Sequence, residues 1–211
     1  MARILYGYPG SRSTRVAWML EELGLDYRFV RVDLSSGQHR SEAFLRLNPG
    51  GKVPVLEEDG FLLTESVAIC TWLGDSHPES GLVPRCGTHE RALYDSWTCF
   101  ILSELEQPLW NMAKHRFALP EEYRLEGMKR TALWEFARAL KALEAGLDGR
   151  PCLVGEDFTA ADLLATATLN WALANKVPVE SPAIRAYLRR HTARPALARA
   201  REREEQGEPF A

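Results

Sequence analysis

The chain has 211 residues, of which 45% are hydrophobic and 26% charged, and its net charge is −3. This composition is ordinary for one globular core or two small domains, and the slight acidity gives no reason to expect nucleic acid or an anionic membrane as a partner. No apolar run approaches the ~18 residues that a membrane span needs, and no signal peptide precedes the first strand pattern, so we expect a cytoplasmic protein. The four cysteines, Cys70, Cys86, Cys99 and Cys152, lack metal-type spacing, so we expect no metal and expect three or four of them to be small buried hydrophobes.

The first third of the chain alternates between strand and helix patterns. The first helix carries apolar residues at i, i+3, i+4 and i+7, which places them on one face. Two apolar runs on either side of Asp59-Gly60 are typical of a hairpin. The predicted elements are a strand over 3–7, a helix ending at Gly24, a strand over 27–32, a helix over 41–47, a hairpin over 53–63 and a helix over 64–75. This α/β order, βαβαββα, implies a mixed sheet with helices on both faces.

Residues 76–87 concentrate Pro, Gly and Ser, which predicts a linker. Beyond it the chain shows only helical patterns, over 88–117, 121–147, 159–175, 182–191 and 195–205. We therefore expect a first domain over 1–78, a linker over 79–87 and an all-α domain over 88–211. The charge-rich tail from Arg201 is expected to be a solvated end.

The clearest helix start lies at Thr159. Its hydroxyl can cap the first amides, while Asp162, three residues later, can bond back to the Thr159 amide in a capping box. The role of this box is expected to be structural.

A proline interrupts the first run of the hairpin, in Val53-Pro54-Val55. Because proline cannot donate to a sheet ladder, it sits at the start or the edge of a strand. The main chain around Val53 then stays free to pair with another molecule. Thr64-Glu65-Ser66 follows and opens a helix, whose unpaired amides and dipole attract anions. An extended peptide with a carboxylate fits both features, and glutathione has this shape and charge.

The whole chain resembles the cytosolic glutathione transferases. The resemblance rests on three motifs in this order: Asn48-Pro-Gly-Gly-Lys-Val-Pro-Val-Leu, Thr64-Glu-Ser and the capping box at Thr159. The resemblance is to bacterial, serine-type members with a theta-, delta- or zeta-like loop. It implies a thioredoxin-like first domain with a cis Val53–Pro54 bond, followed by a helical second domain. It also implies a homodimer with glutathione as co-substrate and no metal.

An enzyme of this kind must stabilise a thiolate. A free thiol titrates near ~8.5, so only ~3% is thiolate at pH 7, and lowering the pKa by ~2 units makes the thiolate the majority species. A hydroxyl at a helix N-terminus suits this task. Theta- and delta-like transferases place the activating serine directly after Pro-Gly and an arginine four residues later, which Ser11 and Arg15 match.

Ser11 is therefore the predicted thiolate donor, and capping of the first helix is its alternative role. Weaker candidates for the activating hydroxyl are Ser13, Thr14, Tyr6 and Tyr8. No cysteine precedes Cys70, so a mechanism built on a protein thiol is not expected.

The resemblance also implies contacts for the rest of the tripeptide. Val53, before Pro54, would pair its main chain with the cysteinyl residue. Glu65 would take the γ-glutamyl ammonium and Ser66 its carboxylate. His39 and Lys52 are placed to meet the glycyl carboxylate.

A second-substrate pocket would lie between the domains. Its candidate lining residues are Trp110, Met112, His115 and Phe117, for which packing in the core is the alternative.

The expected function is conjugation of glutathione to a small apolar electrophile. Peroxidase, dehalogenase or isomerase activity would share the same half-site, and a non-catalytic interaction protein with this fold is a further alternative.

Overall fold

The computed structural model describes residues 2–210. They form two compact units, one made of residues 2–83 and 193–210 and the other of residues 84–192. The change from the first unit to the second falls within the linker predicted at 79–87. The C-terminal stretch differs from the sequence-based division, since residues 193–210 were assigned to the helical domain and belong to the first unit.

The first unit contains the predicted βαβαββα order. Its elements in this part of the chain are β1 (Arg3–Gly7), α1 (Ser13–Glu22), β2 (Arg28–Arg31), α2 (Glu42–Leu47), β3 (Val55–Glu58), β4 (Phe61–Thr64) and α3 (Ser66–Ser76). Asp59 and Gly60, at φ 49° and 87°, form the hairpin turn between β3 and β4. Two successive positive φ angles are what a two-residue hairpin turn with the right twist requires, which is why Asp-Gly occurs there.

The sheet is mixed, as predicted. β1 pairs in parallel with β2 and antiparallel with β3, which pairs antiparallel with β4. In this register Tyr6 lies opposite Val55, and Val55 lies opposite Thr64. β1 therefore ends, β3 begins and β4 ends in one row, called here the Tyr6 end of the sheet.

The second unit is helical in its regular structure. It contains α4 (His89–Phe100), α5 (Gln107–Ala113), α6 (Met128–Leu147), α7 (Ala160–Ala174) and α8 (Pro182–Thr192). The segments Ile101–Glu106 and Lys114–Ala118 are π-helical and continue α4 and α5. α6 begins later than the predicted residue 121, because Glu121–Tyr123 form a separate 3₁₀ turn after Pro120. No helix within residues 2–210 is long and apolar enough to cross a membrane.

The C-terminal segment is not a solvated tail, so that expectation was wrong. Helix α9 (Pro195–Glu205) packs on α1 and buries Leu197 and Ala200. Just before it, Arg194 donates two hydrogen bonds to the Glu22 carboxylate, at 2.6 and 2.7 Å. The short strand β5 (Glu208–Pro209) then adds to the sheet beside β2. The Phe210 ring packs edge-on against Tyr6 and Phe44. Residues 195–210 thus close one side of the first unit.

The capping box at the start of α7 is present, and it is fully buried. The Asp162 carboxylate accepts hydrogen bonds from the amide and hydroxyl of Thr159, at 2.9 and 3.0 Å. It also accepts from the Leu153 amide at 2.8 Å and the Tyr187 hydroxyl at 2.9 Å. One carboxylate therefore joins the helix start to the preceding loop and to α8.

Replacing Asp162 by alanine should lower the free energy of unfolding by ~3 kcal/mol, since it removes a cap and leaves buried donors without an acceptor. Urea unfolding followed by circular dichroism measures the change. Asp157→Ala, at an exposed position of the same loop, is the matched control and should change stability by less than ~0.5 kcal/mol. Equal stabilities of the two variants would contradict this role of Asp162.

Candidate functional site

Four chain segments meet the sheet at its Tyr6 end. The loops after β1 and β2 leave it there, the loop before β3 enters it, and α3 follows β4. The predicted glutathione-site residues lie on these four segments: Ser11, His39, Lys52, Val53, Pro54, Glu65 and Ser66.

The loop between β1 and α1 is closed by its own hydroxyl groups. Ser11 Oγ lies 2.7 Å from the Tyr8 carbonyl oxygen and accepts from the Ser13 amide at 3.1 Å. Ser13 has no exposed surface, and its Oγ accepts from the Tyr8 amide at 3.2 Å. Ser13 is thus committed to the loop, whereas Ser11 is partly exposed.

Ser11 therefore caps the start of α1 and also keeps a hydroxyl that a ligand can reach. Its single proton points to the Tyr8 carbonyl or to Ser13 Oγ, which is 3.0 Å away. Turning that proton to a thiolate exchanges a neutral hydrogen bond for a charge-assisted one, which is about twice as strong. The capping role and the donor role are compatible.

Two other groups in this region keep their protons at neutral pH. The Tyr6 hydroxyl donates to Glu57 Oε2 at 2.8 Å, and burial together with this carboxylate raises the pKa of Tyr6 to about 12. Burial likewise raises the pKa of the Cys70 thiol to about 12. Cys152 is buried as predicted, but Cys86 and Cys99 are exposed, so the expectation of buried cysteines was wrong for those two.

The loop before β3 is held by the side chain of Asn48. Its Oδ1 accepts from the Gly50 amide at 2.9 Å, and its Nδ2 donates to the Lys52 carbonyl oxygen at 2.7 Å. The Val53–Pro54 peptide bond is cis, as the resemblance implied. Strand pairing begins only at Val55, and no residue within 2–210 makes a hydrogen bond to the Val53 main chain. The Lys52 side chain is exposed.

The start of α3 is strained. Glu65, which is exposed, has φ 67° and ψ 111°, a conformation that a residue with a side chain rarely adopts. Such strain costs ~1–3 kcal/mol and is found mainly at functional sites. Ser66 is buried, and its Oγ accepts from Arg15 Nη1 at 3.4 Å. The guanidinium of Arg15, only 3% exposed, thus adds positive charge at a helix N-terminus.

His39 lies on the 3₁₀ turn Gln38–Arg40 that follows β2. Its partly buried ring has Nδ1 without a hydrogen-bond partner among residues 2–210. Burial, and then the charge of Arg40, lower the pKa of His39, so the imidazole is neutral at pH 7. It can offer a hydrogen bond to a ligand, but not a positive charge.

In the helical unit, Trp110 and Met112 are partly buried on α5, and Phe117 is exposed. Exposure rules out core packing for Phe117 alone among these three residues. His115 Nδ1 accepts from the Leu125 amide at 3.0 Å, which ties the start of the π-helical segment to the following loop. That bond occupies one ring nitrogen of His115.

Cys152, Asp162 and His191 bring three ligand-type atoms within 4.8 Å of one another in the helical unit. The oxygens of Asp162 already accept four protein hydrogen bonds, and His191 Nε2 lies 2.8 Å from the Pro151 carbonyl oxygen. These hydrogen bonds explain why the three side chains are buried together, as parts of a structural network.

Sequence reasoning missed one residue next to the site. Glu204, on α9, is buried and reaches the loop that carries Ser11. Its spacing was the available signal, since Glu204 follows Ala200 by four residues and Leu197 by seven, which places it on the buried face of that helix.

The chain is similar in sequence to known glutathione S-transferases over both of its units. Residues 1–75 match the family model for the glutathione S-transferase N-terminal domain, and residues 107–195 match that for the C-terminal domain. Glutathione S-transferase GstA of Escherichia coli O157:H7 is 32% identical over 199 residues, which cover 92% of this chain and 94% of that protein.

Two solved structures are similar over nearly the whole chain. A glutathione transferase from Methylococcus capsulatus is 35% identical, with a TM-score of 0.87, and the match covers 97% of this chain and 100% of that one. A glutathione transferase homologue from Sulfitobacter, solved with bound glutathione, is 29% identical with a TM-score of 0.84, and the match covers 95% and 97%. Both family models match in order and the fold agrees with these structures, so the chain belongs to the glutathione S-transferase family.

Proposed function

We propose that this protein is a glutathione transferase that binds glutathione at the Tyr6 end of the sheet and uses Ser11 to stabilise its thiolate. The thiolate then attacks a small apolar electrophile. One observation carries the proposal: a main chain without a partner at Val53, a strained Glu65 and a partly exposed Ser11 all lie at this end.

Each part of the tripeptide has a complementary group. The amide and carbonyl of Val53 suit the cysteinyl residue in antiparallel pairing, since a peptide laid beside them adds the missing partner. Glu65 supplies a negative charge for the γ-glutamyl ammonium. The Ser66 hydroxyl and amide, at the start of α3 and beside Arg15, suit its carboxylate. Lys52 and His39 are left for the glycyl carboxylate.

Thiolate stabilisation is the chemical step assigned to Ser11. Lowering the thiol pKa by ~2 units requires the anion to be favoured by ~2.7 kcal/mol. A charge-assisted hydrogen bond contributes ~1.5–3 kcal/mol, and the N-terminal end of α1 adds to it. Proximity of the bound electrophile supplies the rest of the rate enhancement.

Binding to immobilised glutathione, followed by titration of the ultraviolet thiolate absorbance of the bound ligand, tests the proposal. We expect retention on the matrix and a bound thiol that titrates below the free one. Retention with an unperturbed thiol would favour a non-catalytic interaction protein, and no retention, with no heat in calorimetry at millimolar glutathione, would overturn glutathione binding.

Ser11→Ala should leave glutathione affinity within ~3-fold and lower kcat with chlorodinitrobenzene by ~10- to 1000-fold, because one donor to the thiolate is lost. Steady-state kinetics and calorimetry measure the two quantities. Ser36→Ala, at an exposed loop position of the same unit, is the control and should behave as the unaltered protein. Unchanged kcat in Ser11→Ala would move the donor role to another group.

Glu65→Gln keeps the shape of the side chain and removes its charge. We expect ~10-fold weaker glutathione binding, at the lower end for loss of a charged hydrogen bond because the side chain is exposed. The pKa of the bound thiol should stay low. Glu79→Gln, which changes an exposed charge elsewhere in the unit, is the control for calorimetry. Equal affinity in both variants would contradict the ammonium contact.

The protein is also proposed to be a cytoplasmic homodimer. Support for the dimer comes from β4, the outer strand of the sheet, where Phe61 is 54% exposed and Leu62 is exposed beside it. The Phe61 ring rests on Trp72 of α3, with centroids 5.8 Å apart. An aromatic side chain held in place at a surface is typical of an anchor for a second protein surface.

Phe61→Ser should raise the dimer dissociation constant by ~10-fold or more, as expected for loss of an aromatic anchor. Light scattering across micromolar concentrations measures the change. Tyr123→Ser, which alters an exposed aromatic residue of the helical unit, should leave the dimer intact. A monomer in the unaltered protein would exclude the homodimer itself.

A further inference from the structure

Glu204 is a buried carboxylate on the inner side of α9, with 2% of its surface exposed. Burying a carboxylate is costly unless it is well hydrogen-bonded. Its neighbours Arg203 and Glu205 on the same helix are exposed. The position of Glu204 therefore needs an explanation from its contacts.

Those contacts lie on both sides of Ser11. The Thr14 hydroxyl donates to the Glu204 carboxylate and lies 2.8 Å from Oε1 and 3.0 Å from Oε2. The Gly10 amide points at Oε2 from 3.5 Å. The carboxylate thus spans the loop Gly10–Thr14, which includes the proposed thiolate donor Ser11.

The C-terminal end of α9 is itself held in place by hydrogen bonds, which fixes the position from which the Glu204 side chain extends. Arg31 of β2 donates from Nη2 to the main-chain oxygens of Glu204 and Glu205, at 3.1 and 2.9 Å. A positive charge at the C-terminal end of a helix also complements the helix dipole. Glu204 is therefore a rigid support between the sheet and the loop.

We propose that Glu204 is a positioning residue, which holds the loop Gly10–Thr14 through the Thr14 hydroxyl and the Gly10 amide and so fixes the direction of the Ser11 hydroxyl. This inference rests on the proposed function of Ser11. A misplacement of a catalytic donor by ~1 Å is enough to lower a rate by up to ~100-fold.

The charge state of the support depends on pH. Burial raises the pKa of Glu204 to about 7, although the hydrogen bonds from Thr14 and Gly10 and the charges of Arg201 and Arg31 act to lower it. Tyr27, at the start of the β2 region, also faces this carboxylate and keeps its proton, since burial raises its pKa. Above pH 7 the anion accepts both loop donors, and below pH 7 protonation weakens this support.

Glu204→Gln and Thr14→Val test the proposal in two chemically different ways. We expect each to lower kcat with chlorodinitrobenzene by ~10-fold at pH 8, with KM for glutathione changed by less than ~3-fold. The gap between the unaltered protein and Glu204→Gln should narrow to ~2-fold at pH 6, where only about a tenth of Glu204 is ionised. The double variant should be no worse than the more affected single variant, because the two residues act through one contact.

The pKa of bound glutathione separates positioning from simple electrostatics. Removing a nearby negative charge would by itself lower the thiol pKa, whereas a displaced Ser11 hydroxyl raises it. We expect a raised thiol pKa in Glu204→Gln and also in Thr14→Val, which alters no charge. Thr14→Ser, which retains the hydroxyl, and Glu205→Gln, at the adjacent exposed position, are the controls and should titrate as the unaltered protein.

A lower thermal midpoint with an unchanged thiol pKa would show that Glu204 is only structural and would overturn the inference. If Glu204→Gln fails to fold, Thr14→Val gives the same decision. The same titration of Ser11→Ala distinguishes failure of the proposed donor role of Ser11 from failure of the proposed positioning role of Glu204. An unchanged thiol pKa in Ser11→Ala overturns the donor role and this inference with it. A raised thiol pKa in Ser11→Ala, but not in Glu204→Gln or Thr14→Val, overturns this inference alone.

Discussion

Hydrogen-bond pairing of β3 with its two neighbours stops at the row formed by Tyr6, Val55 and Thr64, and the proposed chemistry depends on what the main chain offers beyond it. Pro54 has no amide hydrogen to extend the ladder, and Asn48 holds the preceding loop from within. The polar groups of Val53 are therefore presented in a fixed direction without a hydrogen-bond partner among residues 2–210. Because main-chain groups shielded from water need hydrogen-bond partners, a peptide that lies along Val53 would supply partners for its amide and carbonyl and would be bound by them.

The topology places positive potential at this same row. β1 leads into α1 and β4 leads into α3, so two helices begin just beyond the ends of their strands, and helix N-termini attract anions. Arg15 adds a buried guanidinium at Ser66. In the proposed complex the thiolate and the γ-glutamyl carboxylate each lie at a helix start, and the glycyl carboxylate is left to Lys52 and His39. The strain at Glu65 is consistent with a chain that is bent to bring its carboxylate to the same row.

Much of this arrangement was predictable because its signals are local. Apolar spacing identified α1, Asp59-Gly60 identified the hairpin, and Pro54 marked the start of β3. The parts that were missed depend on contacts between residues far apart in the chain. Helical spacing from Leu197 and Ala200 places Glu204 on the buried face of α9, but only the packing of α9 on α1 shows that its carboxylate meets the segment that carries Ser11. The bond between His115 and Leu125 likewise has no local sequence signal.

The return of the last residues to the first unit has a consequence for biosynthesis. Residues 193–210 are synthesised after residues 84–192, so α9 and β5 join the sheet unit only after all residues of the helical unit have been made. Nascent chains fold in the order in which their segments emerge. The earlier-made sheet therefore has the β2 border and one face of α1 uncovered until residues 193–210 have emerged from the ribosome. Chaperones that recognise bare apolar surface would meet the nascent protein during this interval.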